Sequence, residues 1–193
     1  MQLVVTEKPS VAQAISHVIG AKERKDGYME GNGFLVSWCV GHLVELAQPE
    51  MYSEAWKKWS YESLPMIPEQ WQHEVKKETA TQYKILKNLM HDTRVESVVC
   101  ATDAGREGEL IFRLVYEQAG CRKPVKRLWI SSMEENAIRE GFQNLKDGSY
   151  YDDLYRSALC RAQADWLVGL NGTRLFTVLY GGKVLKVGRV QTP

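Results

Sequence analysis

Hydrophobic and polar positions fall into blocks whose period switches repeatedly between that of a strand and that of a helix. Gln2 to Val5 is a short β-branched run that reads as a strand. Pro9 then opens a helix with Val11, Ala14, Ile15, Val18 and Ile19 on one face, and Gly20 ends it. Gly33 to Val40 predicts a second strand. Gly41-His42 leads into a tryptophan-rich stretch, Met51 to Trp71, whose Leu64-Pro65-Met66-Ile67-Pro68 predicts an irregular excursion packed on the core. A helix over Thr79 to His91, with Tyr83, Leu86, Leu89 and Met90 facing inward, precedes a strand over Ser97 to Thr102 and a helix over Arg106 to Ala119. Arg127 to Ser131 predicts a further strand and Glu134 to Leu145 a further helix. Strands alternating with helices imply parallel pairing, so residues 1 to about 150 are expected to form an open α/β sheet flanked by helices.

From Tyr151 the rhythm changes. Asp152 to about Leu179 is helical without an interposed strand, carrying Leu154, Leu159, Ala162, Trp166 and Leu170 at helical spacing, with Gly169 and Gly172 as expected kinks. Residues 151–193 are read as the start of a separate helical domain. The last residues, Lys186 to Pro193, carry no capping or terminating pattern, as though a longer chain had been cut.

Composition adds little until its distribution is considered. With 25 basic and 24 acidic residues among 193, net charge is near zero and gives no reason by itself to suspect nucleic acid. Asp165, however, is the last acidic residue, followed by Arg174, Lys183, Lys186 and Arg189, which suggests an electropositive surface. A short solvated basic tail is equally compatible. The four cysteines have no metal-ligand spacing, and Cys39 and Cys100 lie in apolar runs, as expected of reduced buried thiols. No apolar stretch reaches membrane-spanning length, and no signal peptide precedes the first strand; a cytoplasmic protein is expected.

The candidate chemistry lies where apolar runs break into acids. Glu7 follows the first strand and Asp103 the central one, with Glu107 and Glu109 in the first turn of the next helix. In a parallel sheet, functional groups collect beyond the carboxyl ends of the strands, so these four acids are expected to converge. Clustered carboxylates repel unless a cation neutralises them, and an all-oxygen site suits Mg²⁺. Lys8 and Arg106 beside them offer positive charge to a phosphate. The bland alternative is that Asp103 caps the helix while Glu107 and Glu109 answer its macrodipole. Gly105-Arg106-Glu107-Gly108 fits neither phosphate-binding glycine loop. A phosphatase-type aspartyl nucleophile is also disfavoured, since Asp103 lacks the accompanying downstream Asp and Thr.

Six blocks, in order along the chain, carry a resemblance: Glu7-Lys8-Pro9-Ser10, Gly41-His42-Leu43, Thr102 to Glu109, Arg127-Leu128-Trp129-Ile130-Ser131-Ser132, Ala164 to Gly169, and Val187 to Pro193. Together they resemble the N-terminal part of type IA DNA topoisomerases, and Lys8 after Glu7 is similar to the topoisomerase III branch. The resemblance implies a Toprim domain over residues 1–150, a Mg²⁺-binding module, and the beginning of a helical DNA-binding domain over 151–193. It implies relaxation or decatenation of DNA without ATP, through a tyrosine that attacks the backbone to give a 5′-phosphotyrosine and a free 3′-hydroxyl. By position, Glu7 matches the family's proton-transferring acid and metal ligand, Lys8 its phosphate-stabilising lysine, and Asp103 and Glu107 its metal ligands, with Mn²⁺ a possible substitute. Gly105 stands where the family commonly has a second Asp, so weaker metal affinity is expected. None of the nine tyrosines occupies the nucleophile's context, so this segment alone is expected to be inactive and to depend on the rest of the same polypeptide.

The same resemblance marks a single-stranded DNA contact over Lys186, Val187, Gly188, Arg189, Val190, Gln191 and Thr192: Arg189 suits phosphate, and Gln191 and Thr192 suit backbone or base. Arg161, Arg174 and Lys183 are further DNA candidates, although Arg161 is spaced to pair with Asp165. His42 and the cluster Trp56, Trp59 and Trp71 read as structural. Two rival readings remain at this point. One is a free-standing Toprim nuclease or primase-like protein; the other is a non-catalytic DNA-binding module.

Overall fold

The computed structural model describes residues 1–188, so Arg189, Val190, Gln191 and Thr192 lie outside the described residues. The chain folds into two compact units, Met1–Glu45 with Val75–Ala158, and Leu46–Glu74 with the described chain from Leu159 on.

In the first unit, β1 (Gln2–Thr6) leads through Lys8 to α1 (Pro9–Ile19), which begins with proline and ends at Gly20, whose φ of 86° closes the helix in the left-handed conformation. β2 (Glu23–Lys25), β3 (Tyr28–Gly31) and β4 (Phe34–Trp38) then form an antiparallel meander. β5 (Val44–Leu46) leaves this unit and β6 (His73–Val75) returns to it, the two pairing as a small separate sheet around an excursion that contains α2 (Pro49–Tyr52). There follow α3 (Ala80–His91), β7 (Ser97–Ala101), α4 (Arg106–Gln118), β8 (Val125–Arg127), α5 (Glu135–Gln143) and β9 (Lys146–Asp147).

The seven-stranded sheet has the order β2-β3-β4-β1-β7-β8-β9. Its centre is parallel: β1 pairs with β4 and β7, and β7 pairs with β8, while both edges are antiparallel. The central strands are apolar on both faces because both are covered. Leu3, Val4, Val5, Leu35, Val36, Val98, Val99 and Cys100 are all fully buried. The expected α/β architecture therefore holds, with two local differences. The meander of β2 and β3 carries charged, half-exposed residues that hide its strand character, and β8 occupies Val125–Arg127 rather than Arg127–Ser131. Leu128 to Ser132 continues past the strand as an irregular segment at the sheet's carboxyl edge.

The first unit also holds the opening of α6 (Asp152–Tyr180), and the second unit holds its continuation. The excursion packs in this second unit rather than on the sheet core that its composition suggests. Trp166 donates to the Ala47 carbonyl at 3.0 Å and meets Trp71 and Tyr52 edge-on at 5.4 and 5.7 Å, while the Asn171 side chain bonds both the N–H and the carbonyl of Met66. Gly169 and Gly172 do not kink α6, which runs unbroken. They let the segment after the helix lie close: a Cβ on Gly172 would meet Val187 Cγ1 at 3.0 Å, and Thr173 and Thr177 hydroxyls accept from the N–H groups of Val187 and Leu185.

Candidate active site at the carboxyl edge of the sheet

β1 and β7 run side by side in register, Thr6 opposite Ala101, so the residues just beyond them emerge at one edge. The Thr6 hydroxyl donates to the Lys8 carbonyl at 3.0 Å, fixing the turn that presents Glu7 and Lys8. Lys8 Nζ then lies 3.8 Å from Glu7 Oε1 and 3.4 Å from Asp103 Oδ2. One ammonium is shared by two carboxylates from neighbouring strands. Glu7 is largely sheltered, with 15% of its side chain exposed, whereas Asp103 and Lys8 stand about half open.

Glu107, one turn into α4, is turned to His42, whose Nε2 lies 2.5 Å from Glu107 Oε1. His42, which reads as structural in the sequence, thus belongs to this edge. Glu109 does not. Its carboxylate is 1% exposed and bonded at 3.0 Å to both Arg127 Nε and Arg113 Nε, so it is a buried anchor rather than a fourth converging acid. Two of the four acids, Glu7 and Asp103, share a partner; Glu107 is nearby in sequence but held elsewhere.

The loop that carries Asp103 is held from beneath by a residue that sequence does not single out as functional. Arg127, fully buried at the end of β8, donates to the carbonyls of Cys100, Thr102, Leu128 and Asp103 as well as to Glu109. The Thr102 hydroxyl donates to the Gly108 carbonyl at 2.7 Å. Gly108 is required there, because a Cβ would lie 2.1 Å from the Asp103 carbonyl oxygen. The carbonyls and the carboxylate beneath the loop are thereby paired, as a low-dielectric interior demands. Below it, burial pushes the Cys100 thiol up to about 11, so it stays protonated and takes no part in the chemistry of the edge.

The donor set here is carboxylate oxygen, which matches a hard divalent cation, and the Lys8 ammonium between Glu7 and Asp103 shows that the space between them accommodates positive charge. Among the described residues no three His, Cys, Asp or Glu side chains stand close enough together to hold a metal ion. Glu107 is 70% exposed and is held by His42. In donor chemistry, Glu7 and Asp103 would fit such a cation.

The candidate DNA residues lie in the second unit. Arg161 is exposed on α6, Lys183 is exposed beyond it, and Val187 and Gly188 are half-buried. Lys186 is likewise exposed beyond the helix. Arg174 is turned inward: it is 4% exposed, donates to the Trp56 carbonyl, packs over the Trp59 ring at 5.2 Å, and burial holds its guanidinium below the usual arginine range. No helix among the described residues is long and apolar enough to cross a membrane.

Comparison with known proteins agrees with this geometry. A family model described as Toprim domain matches residues 2–133, and one described as DNA topoisomerase matches residues 149–193. The chain is 50% identical over 190 residues to a protein named DNA topoisomerase 3 from Shouchella clausii (strain KSM-K16), covering 98% of this chain and 26% of that protein. It is 47% identical over 191 residues to DNA topoisomerase 3 from Staphylococcus epidermidis (strain ATCC 12228 / FDA PCI 1200), covering 99% and 27%. It therefore spans about a quarter of the length of these relatives. The solved structure of full-length topoisomerase I from Thermotoga maritima shares the fold, with a TM-score of 0.64 at 23% identity, over 98% of this chain and 28% of that one. With the first model matching most of its length, and with the acidic strand ends in place, the chain belongs to the Toprim domain family.

Proposed function

We propose that this chain is the metal-site portion of a type IA DNA topoisomerase of the topoisomerase III kind, an isomerase that relaxes or decatenates DNA by transient single-strand cleavage. The observation that carries the reading is the pair Glu7 and Asp103, brought from adjacent parallel strands onto one ammonium. The names of the relatives support it. The two matched segments support a division near residue 150, into a Toprim domain over 1–150 and the opening of a helical DNA-binding domain over 151–193.

In this reading Glu7, Asp103 and Glu107 would hold a divalent ion, Mg²⁺ or Mn²⁺ in its place, which would supply positive charge to the phosphoryl oxygens. The chain's own groups do the rest. Lys8, freed from its carboxylates, pairs with a nonbridging oxygen of the scissile phosphate. Glu7, sheltered beside it, takes the proton that the tyrosine hydroxyl loses as its oxygen bonds to phosphorus and passes it to the 3′-oxygen as the P–O3′ bond breaks, and the transfer reverses on resealing. The attacking tyrosine belongs to a further part of the polypeptide. Arg161, Lys183 and Lys186 contribute phosphate contacts along single-stranded DNA, with Val187, Gly188 and the segment Arg189 to Thr192 approaching the strand. No ATP is needed, because the phosphotyrosine conserves the energy of the broken bond. The setting is cytoplasmic, where the DNA and reduced thiols are.

Metal titration tests the site: Mn²⁺ binding by the chain is expected to fall at least tenfold in the variant carrying Asp103→Ala and Glu107→Ala. Unchanged affinity would refute the metal assignment. In a full-length protein containing this segment, Glu7→Gln is expected to preserve DNA binding and suppress strand transfer; equal cleavage by the variant removes Glu7 from proton transfer.

A further inference from the structure

Beyond β8, at the same carboxyl edge as Glu7 and Asp103, the chain forms an open hollow of about 360 Å³, within the range of small-ligand sites. Its lining includes Trp129, Ile130, Ser131, Ser132, Glu140 and Asn144. These come from the irregular segment after β8 and from α5 and the residue that follows it, two pieces of chain pinned together at Gly141. A Cβ on Gly141 would meet Leu128 Cδ1 at 2.6 Å and Ile130 Cγ2 at 2.7 Å. The metal and phosphate chemistry proposed above makes no use of this hollow.

Trp129 is 42% exposed, yet its ring is fixed. Tyr151 stacks on it at 4.8 Å with planes 14° apart, and the Arg127 guanidinium lies 5.0 Å from its centre. A large aromatic side chain held rigidly at the surface has lost its rotamer freedom before any ligand arrives, so stacking on it costs little further entropy. Tyr150, 71% exposed, meets Tyr151 edge-on with Lys146 Nζ 4.6 Å from its ring. The result is a short aromatic run, open at both ends, beside a cation.

The chemistry of the lining selects among ligands. Among the described residues no lysine or arginine lines the hollow, and its charged group is the Glu140 carboxylate, which repels phosphate. Two serine hydroxyls, an amide and a carboxylate beside an indole suit instead the π-face and the amino and imino edge of a nucleobase.

We propose that this hollow is a nucleobase site: one unstacked base of a single DNA strand lies against Trp129, with its polar edge towards Ser131, Ser132, Glu140 and Asn144. This rests on the DNA reading above and extends it, since it places base contact on the Toprim side of the chain, apart from the phosphate contacts assigned to Lys186 and its neighbours.

The test is equilibrium binding of a labelled single-stranded oligonucleotide to the whole chain at several salt concentrations. Trp129→Ala is expected to weaken binding about tenfold with the salt slope unchanged, because a stacked base releases no counterions. Trp129→Phe should recover most of the loss. Ala137→Leu, which fills the hollow without removing the ring, should weaken binding similarly and guards against loss of fold in the alanine variant. An oligonucleotide of abasic residues should bind all four proteins equally. Salt-dependent binding that ignores Trp129→Ala and Ala137→Leu overturns the nucleobase site while leaving the phosphate contacts standing. Absence of any single-strand binding by the unaltered chain overturns both.

Discussion

Two acid-base groupings meet within a few residues of each other, and they are built oppositely. On the inner side of the Thr102–Glu109 loop, Glu109 and Arg127 are about 1% exposed and every nitrogen of the guanidinium is engaged. On the outer side, Lys8 and Asp103 are more than half exposed and separated by 3.4 Å, a loose contact that either partner can leave. The inner pair fixes the backbone; the outer one keeps its charges available. A carboxylate taken out of water has value only when permanently paired, while one intended for a transient partner must stay near solvent.

Removing one half of the inner pair should have the largest effect. Arg127→Ala is expected to cost about 3–5 kcal/mol of stability by urea unfolding, since it leaves the buried Glu109 with Arg113 as its remaining partner and takes the donor from four carbonyls. The joint change Arg127→Met with Glu109→Leu should recover a substantial part. A cost below about 1 kcal/mol for Arg127→Ala would erase the contrast between the two sides.

Beneath the same loop, burial raises the Cys100 thiol from its ordinary 9.0 to about 11. The unfolded chain therefore releases this proton first. Stability due to this group is fully present below pH 9 and lost as pH rises to about 11, a decline of about 2–3 kcal/mol. The difference in alkaline unfolding between the unaltered protein and Cys100→Ala isolates it; identical pH profiles would show that the thiol is less enclosed than its packing indicates.

Gly108→Ala should cost about 1–3 kcal/mol by forcing the Asp103 carbonyl away, as measured by thermal unfolding. It should also weaken Mn²⁺ binding, since Asp103 moves with its own backbone. At the small end, Lys8→Ala should change stability by less than about 1 kcal/mol, as exposed pairs do. A larger loss would make Lys8 a structural residue and narrow the difference between the two sides.

The edge itself is legible in the sequence because each strand there is a continuous apolar run that ends abruptly in acids. Glu109 escapes such a reading for a physical reason. Helical spacing places it within two residues of Glu107 but cannot show that Arg127, eighteen positions on, reaches back beneath the loop to claim it. Arg127 reads as the first residue of a strand and is the last. His42 gives no signal, since a lone histidine after a glycine is commonplace. The excursion through Trp56, Trp59 and Trp71 is recognisable as irregular, but its packing partners, Trp166 and Asn171 on α6, are more than ninety positions away and share no local pattern with it. Glycines in α6 read as bends because sequence reports missing side chains without showing what approaches the gap.

Gly105 carries a different lesson. Its φ of 171° is ordinary extended backbone and a Cβ there would meet nothing within 4 Å, so no steric or conformational demand accounts for glycine at this position. Glycine and aspartate codons differ by one nucleotide. Given a metal among Glu7, Asp103 and Glu107, the avidity of the site becomes a property that lineages can adjust in a single mutational step, towards tighter capture or faster exchange, without disturbing the architecture beneath.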